Sequence, residues 1–177
     1  MRSTPGTIDW LCERYIRAAD YRNLAPVGRK ILAGEIDWLR EQAGDLPFRG
    51  MRTKDVEALM AKKSGPASAN KVKKLLSRLC NFAIRNEEMS FNPARLARKY
   101  KENPDGYYTA TPAEIDVYRR RHRSGTMARL ALELALNTGM ARQDMVRASW
   151  VQFDGGRFTY RRVKTDEHAT LPVLPDL

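Results

Sequence analysis

Along most of this chain apolar residues recur every third or fourth position, and only near the end do they alternate. Ile8, Leu11, Tyr15 and Ala18 share one face behind Thr7, which predicts an N-capped helix running to about Ala19. Arg22, Asn23, Leu24 and Ala25 read as a loop. Pro26 suits the first turn of a second helix that buries Leu32, Ile36, Leu39 and Ala43 and stops at Gly44. Gly28 and Gly34 fall inside it at roughly 1 kcal/mol each relative to Ala, so packing must hold that helix together. Thr53 is the expected cap of a short third helix through Val56, Leu59 and Met60, and a basic turn with Gly and Pro follows over 62–66. The fourth helix, over 68–86, has the clearest pattern: Val72, Leu75, Leu76, Leu79, Phe82 and Ala83 form one apolar stripe.

The stretch 95–106 is polar and basic, ends in Pro-Asp-Gly, and reads as a linker. Thr111, Pro112 and Glu114 then make a full capping box for a helix to about His122, around which Arg119, Arg120, Arg121 and Arg123 are wrapped. Met127, Leu130, Ala131, Leu134 and Ala135 predict a mostly buried helix. Asn137, Thr138 and Gly139 close it, since glycine accepts the left-handed turn at a helix end, and a new helix opens with Arg142 and Asp144. Arg142 and Arg147 thus lie near a helix N-terminal region, where outward N–H groups suit a phosphate. On these residues alone, two core helices carrying solvated arginines are the simpler reading. Alternation of Phe158 and Tyr160 predicts a strand over 157–163, with a turn over 164–167 and a return strand over 169–173.

Charge narrows the partners. Among 177 residues, 32 Lys and Arg stand against 21 Asp and Glu, a net charge of +11, which favours a polyanion and nucleic acid before a membrane surface. No apolar run has signal-peptide or transmembrane length, so a cytoplasmic protein with no membrane partner is expected. Cys12 and Cys80 lie within helical patterns without metal-ligand spacing, as buried reduced thiols would. Lys71, Lys74, Arg78 and Arg85 gather beside the stripe of the fourth helix, and no acid is interleaved in that helix. Such a one-sided face fits a helix lying along a DNA backbone. An ordinary solvated surface is the alternative.

The order helix, Thr-Gly turn, Arg-containing helix, Gly turn, strand, Lys-Thr turn and strand ending in Leu-Pro-Val resembles the opening half of the catalytic domain of tyrosine recombinases (phage integrases). Independently, Asn70, Leu75, Leu76, Leu79, Phe82, Ala83, Ile84, Asn92 and Pro93 resemble the signature of the last long helix of the family's core-binding domain. The resemblance implies a mainly α protein. A helical, SAM-like core-binding domain would occupy 1–96, a linker 97–110, and a partial α+β catalytic domain with one β-hairpin 111–177.

It also implies a chemistry. In this family a Tyr hydroxyl attacks a phosphodiester, with no metal and no cofactor, while two arginines hold the phosphate oxygens and a hairpin Lys and a His assist proton transfer. A planar arginine fork matches two oxygens on which charge grows. Lys164 takes the hairpin lysine position, and Arg142 is the candidate arginine. Lys71, Lys74, Arg78, Arg85 and Arg147 are the candidate DNA contacts. The arginine box departs from the family: its arginine belongs where Ala141 stands, and one residue on a helix is a rotation of about 100°, so Arg142 serves only in a reshaped turn. The family's His-x-x-Arg box and nucleophilic Tyr would lie beyond Leu177. His122 and His168 fit no such box, and Tyr107, Tyr108 and Tyr160 read as linker and strand residues. The chain is therefore expected not to cut DNA alone.

Three functions stay open: a recombinase-family protein that binds duplex DNA without strand transfer, a regulator competing for recombination sites, and a basic helical module for an acidic protein. Expected partners are double-stranded DNA and either further copies of the chain or a full-length recombinase. Salt dependence separates the third function from the others, because phosphate contacts release counterions.

Overall fold

The computed structural model describes residues 3–174. The last residues assigned above to the catalytic-domain portion, 175–177, lie outside it. The chain forms two compact units, Met1–Gly106 and Tyr107–Leu177.

In the first unit the described residues form α1 (Ile8–Arg17), α2 (Ala19–Arg22), α3 (Pro26–Ala43), α4 (Thr53–Ala61) and α5 (Pro66–Arg85). Thr7 caps α1 as expected, its hydroxyl accepting from the Trp10 N–H at 3.3 Å. The N–H groups of Ile8 and Asp9 donate to the carbonyls of Leu46 and Gly44, each at 2.9 Å, so the loop after α3 supplies partners that an isolated helix start lacks. Ala18 is extended, so the first helix ends at Arg17, two residues before its expected end, and a short α2 follows as far as Arg22, where the loop was expected to begin.

Thr53 is not the cap of α4. It is the first helical residue, and the cap position belongs to Arg52, whose N–H donates to the Asp55 carboxylate at 2.8 Å. The Thr53 hydroxyl instead donates to the Pro93 carbonyl at 3.2 Å.

All six stripe residues of α5 are buried, and they complete one core with Leu11, Tyr15, Ile36, Leu39, Val56 and Met60. Tyr15 meets Phe82 edge-on at 5.4 Å, an arrangement that aromatic quadrupoles favour. Cys12 and Cys80 lie within this core, and burial pushes their thiols up to about 12 and about 11, so neither forms a thiolate at neutral pH.

The second unit contains α6 (Pro112–Arg121), α7 (Met127–Thr138), α8 (Arg142–Met145), β1 (Phe153–Asp154), β2 (Arg157–Arg161) and β3 (His168–Pro172). The capping box of α6 forms as read, with the Thr111 N–H donating to Glu114 at 2.8 Å. Gly139 closes α7 at φ 61°, the left-handed conformation its sequence predicted. The strands make an antiparallel sheet in the order β1-β2-β3, with Phe158 opposite Leu171 and Tyr160 opposite Ala169. One hairpin was expected; β1 adds another. Gly155 and Gly156 take φ 54° and 73°, the pair of positive angles a tight hairpin turn requires, and they fold Phe153 back onto Phe158.

The expected burial of α7 is overturned. Of its apolar stripe only Leu134 is buried; Leu130, Ala131 and Ala135 are exposed, and Met127 is 80% exposed. A stripe defines which face can be buried, but burial needs a partner surface. Here the inward side of α7 is set partly by a charge. Glu133, 3% exposed, accepts from Arg119 at 2.8 and 3.0 Å and from Arg129 at 2.5 Å. Arg119, one of the wrapped arginines of α6, is therefore committed to α7.

Bonding to Arg119, aided by Arg129 and against the opposing effect of burial, holds the Glu133 carboxyl below its usual 4.5. A lowered carboxylate pKa stabilises the fold above the unfolded-state value. That contribution is lost as pH falls below about 4.5 through the folded-state value. Glu133→Gln is expected to destabilise the second unit by about 2 kcal/mol, less than a fully buried pair loses, because the arginine side chains keep 30% and 24% of their surface in water. Urea titrations at pH 7 and pH 4 check this: the variant's deficit should shrink at the lower pH.

No helix among the described residues is long and apolar enough to cross a membrane.

Candidate nucleic-acid interface

On α5, Lys71, Lys74, Arg78 and Arg85 fall within one narrow sector, because steps of three, four and seven residues return to the same face of a helix. They border a groove of about 690 Å³ that Lys73 and Lys99 also line. Lys71 and Lys74 are exposed, and neither has a hydrogen bond or ion pair within the described residues. Arg78 is half-buried with its guanidinium on the Tyr15 hydroxyl, whose pKa is raised by burial and pulled back by that contact.

The helix itself carries no acid, as read, but the tertiary structure brings two. Arg85 pairs with Asp20 of α2. Glu102, from the segment after the first unit's last helical turn, lines the groove and accepts from Asn70 at 2.6 Å. That segment runs along α5 because side chains of α5 grip its backbone. Asn70 bonds both the N–H and the carbonyl of Tyr100 at 2.9 Å, and Lys73 donates to the Ala97 carbonyl at 2.5 Å. Asn92 anchors its start, donating to the Ser77 carbonyl at 3.0 Å and to Asn81 at 2.8 Å. Spacing along the sequence disclosed neither these clamps nor the acids. Of the groove's cations, Lys73 and Lys99 were also missed.

In the second unit Arg142 is exposed and opens α8, with Ala141 at the cap position before it. Lys164 is exposed in the turn between β2 and β3, and Arg147 is exposed after α8. The link between the first two is Asp144. Its carboxylate, on a residue 5% exposed, accepts from the Val163 N–H at 3.0 Å. The segment carrying Arg142 is thus one hydrogen bond from the turn carrying Lys164.

Tyr160 is buried, and the Tyr108 hydroxyl donates to Glu114 at 2.5 and 2.6 Å, which raises its pKa. His122 packs on Tyr118 at 4.4 Å, and His168 is on the exposed face of β3. Exposed guanidinium and ammonium groups with few internal acids can grip phosphate oxygens.

The fold, an all-helical unit followed by helices and a small antiparallel sheet, is shared by solved integrase structures. Lambda integrase as a tetramer bound to a Holliday junction matches with TM-score 0.80 and 23% identity, over 94% of this chain and 50% of that one. A lambda integrase dimer bound to a COC′ core site matches with TM-score 0.79 and 23% identity, over 94% of this chain and 48% of that one. The Tn1549 transposon integrase in complex with circular intermediate DNA matches with TM-score 0.71 and 16% identity, over 96% and 61%.

Two curated relatives agree. The integrase of Escherichia phage HK022 is 23% identical over 167 residues, 93% of this chain and 46% of its own length. That of Enterobacteria phage 434 is 24% identical over 167 residues, 93% of this chain and 47% of its own. No family model matches the chain. At these identities the chain shares the fold of the integrase structures, and it spans about half the length of the curated relatives it matches.

Proposed function

We propose that this chain binds duplex DNA in site-specific recombination or integration of a mobile element. The first unit would be a core-binding domain that lays the basic face of α5 along the sugar–phosphate backbone. The second would be the front portion of a catalytic domain, where Arg147, Arg142 and Lys164 meet phosphates. The observation that carries this reading is the pair Lys71 and Lys74, exposed and without internal partners on the rim of a groove lined by basic side chains. Cations left unpaired in this way bind a polyanion without first breaking an ion pair.

These 177 residues supply phosphate-gripping groups and the hairpin lysine but no activated tyrosine, so by themselves they bind without cleaving. Ala141, at the place of the family's arginine, favours the related reading of a regulator that occupies recombination sites. Further copies of the chain or a full-length recombinase would then be partners on the same DNA, in the cytoplasm.

A salt series on random duplex tests the proposal. About eight phosphate contacts would give a log–log slope near −7, and an acidic protein partner would replace DNA if the slope is flat. On the same protein, a nicked suicide duplex should yield no covalent adduct; a phosphotyrosyl product would overturn the non-cleaving assignment.

A further inference from the structure

Toward each end of the basic groove of α5 a groove residue is engaged by an acid from elsewhere in the chain. Near its C-terminal end Arg85 is held by Asp20, 65 residues earlier. Near its N-terminal end Glu102, 32 residues after Asn70, takes a hydrogen bond from the Asn70 amide at 2.6 Å and lies 3.4 Å from the Lys99 ammonium. Asn70 and Arg85 are fifteen positions apart, roughly 22 Å at 1.5 Å per residue. Between them stand Lys71 and Lys74, which have no internal partners, and Arg78, which rests on a neutral hydroxyl.

Glu102 does not arrive by chance. The backbone two residues before it is clamped to α5 at both polar groups of Tyr100, and the same Asn70 amide then reaches the carboxylate. The acid is therefore fixed inside the groove by the same device that ties its segment down.

We propose that Asp20 and Glu102 bracket the groove and set where a nucleic-acid backbone lies along α5. This rests on the DNA-binding reading above. Phosphates are confined to the central window of Lys71, Lys74 and Arg78, because a phosphate at either end must displace a carboxylate already on the cation. Arg85 and Lys99 are thereby withheld from non-specific duplex, and the two acids lower affinity for any backbone placed out of register. Positional restraint comes from like-charge repulsion at the ends rather than from added attraction at the centre, which is how specificity is gained without tighter binding.

The test is a set of charge-to-amide variants at exposed positions, with random-duplex affinity measured across a salt series. Asp20→Asn and Glu102→Gln should each tighten binding about fivefold near 0.15 M salt and steepen the slope by about 0.9, the value of one released cation meeting one phosphate. Gln at 102 still accepts from Asn70, so the segment stays in place. The gain from Asp20→Asn should vanish when Arg85→Ala is present, and that from Glu102→Gln when Lys99→Ala is present. Asp45→Asn, at an exposed acid outside the groove, supplies the effect of net charge alone.

Gains no larger than that of Asp45→Asn, or gains that persist without the paired cation, overturn the bracketing role while leaving DNA binding intact. If the parent chain shows a flat salt response and Lys71→Ala/Lys74→Ala changes nothing, the DNA reading has failed and the bracket fails with it.

Discussion

Lys71→Ala/Lys74→Ala/Arg78→Ala is expected to weaken binding to random duplex roughly 100-fold at about 0.15 M salt, with the log–log slope shallower by about 2.7, that is, about 0.9 for each of three phosphates. The loss should be roughly twentyfold larger again at about 0.05 M, because each lost contact forfeits a counterion whose release is worth more in dilute salt. It should be uniform across sequences, since phosphate contacts position a protein without reading bases. Lys71 and Lys74 have no internal partners, so their truncation leaves the fold alone. Arg78 touches the Tyr15 hydroxyl, which lies in the core, so its removal is followed by circular dichroism, and the double variant at Lys71 and Lys74 should retain most of the effect. Unchanged affinity at moderate salt would remove α5 from the interface.

Phe158→Ala is expected to cost the second unit about 3–4 kcal/mol, as large-to-small changes at buried aromatics do. The reason lies in how little core the unit has. Its buried apolar residues are Leu134, Met140, Phe158 and Tyr160, and the 0% exposed Phe158 stacks on Phe153 at 4.4 Å and on Tyr160 at 5.4 Å. Removing that ring takes away a fully buried member of the cluster that holds Leu134 and Met140 together with the sheet residues. The turn bearing Lys164 should lose hydrogen-exchange protection first, while the first unit, with its separate core, keeps its own transition. A single shared transition shifted as a whole would show that the two units fold cooperatively.

Local order was legible in the sequence wherever the cause was local. All six residues that periodicity picked out along α5 are buried, because an amphipathic helix of 20 residues repeats its signal over several turns; Ala69, also buried, was not among them. The Thr111 box, the Gly139 stop and the Phe158–Tyr160 alternation are likewise set by residues within four positions of one another. Lys164 was found by motif order, and the structure places it in the expected turn. By contrast β1 has two residues, too few for any period, and depends on the Gly155-Gly156 turn to exist. Thr53 had the right chemistry for a cap, but Asp55 satisfied the helix start from Arg52 and Pro93 claimed the hydroxyl.

What the sequence by itself determined is the helical pattern, the basic face of α5, the thiols buried among apolar neighbours, and the likeness to integrases. Only the tertiary structure decided which of those charges are free. Asp20 and Glu102 reach the groove across separations of 65 and 32 residues, and Asp144 reaches the hairpin across 19. It also decided that α7 turns Glu133 inward and leaves much of its apolar stripe in water. The physical reason is the same in each case: a side chain's spacing along its own helix specifies a direction, whereas its charge state, its burial and its partner depend on what another part of the chain brings there.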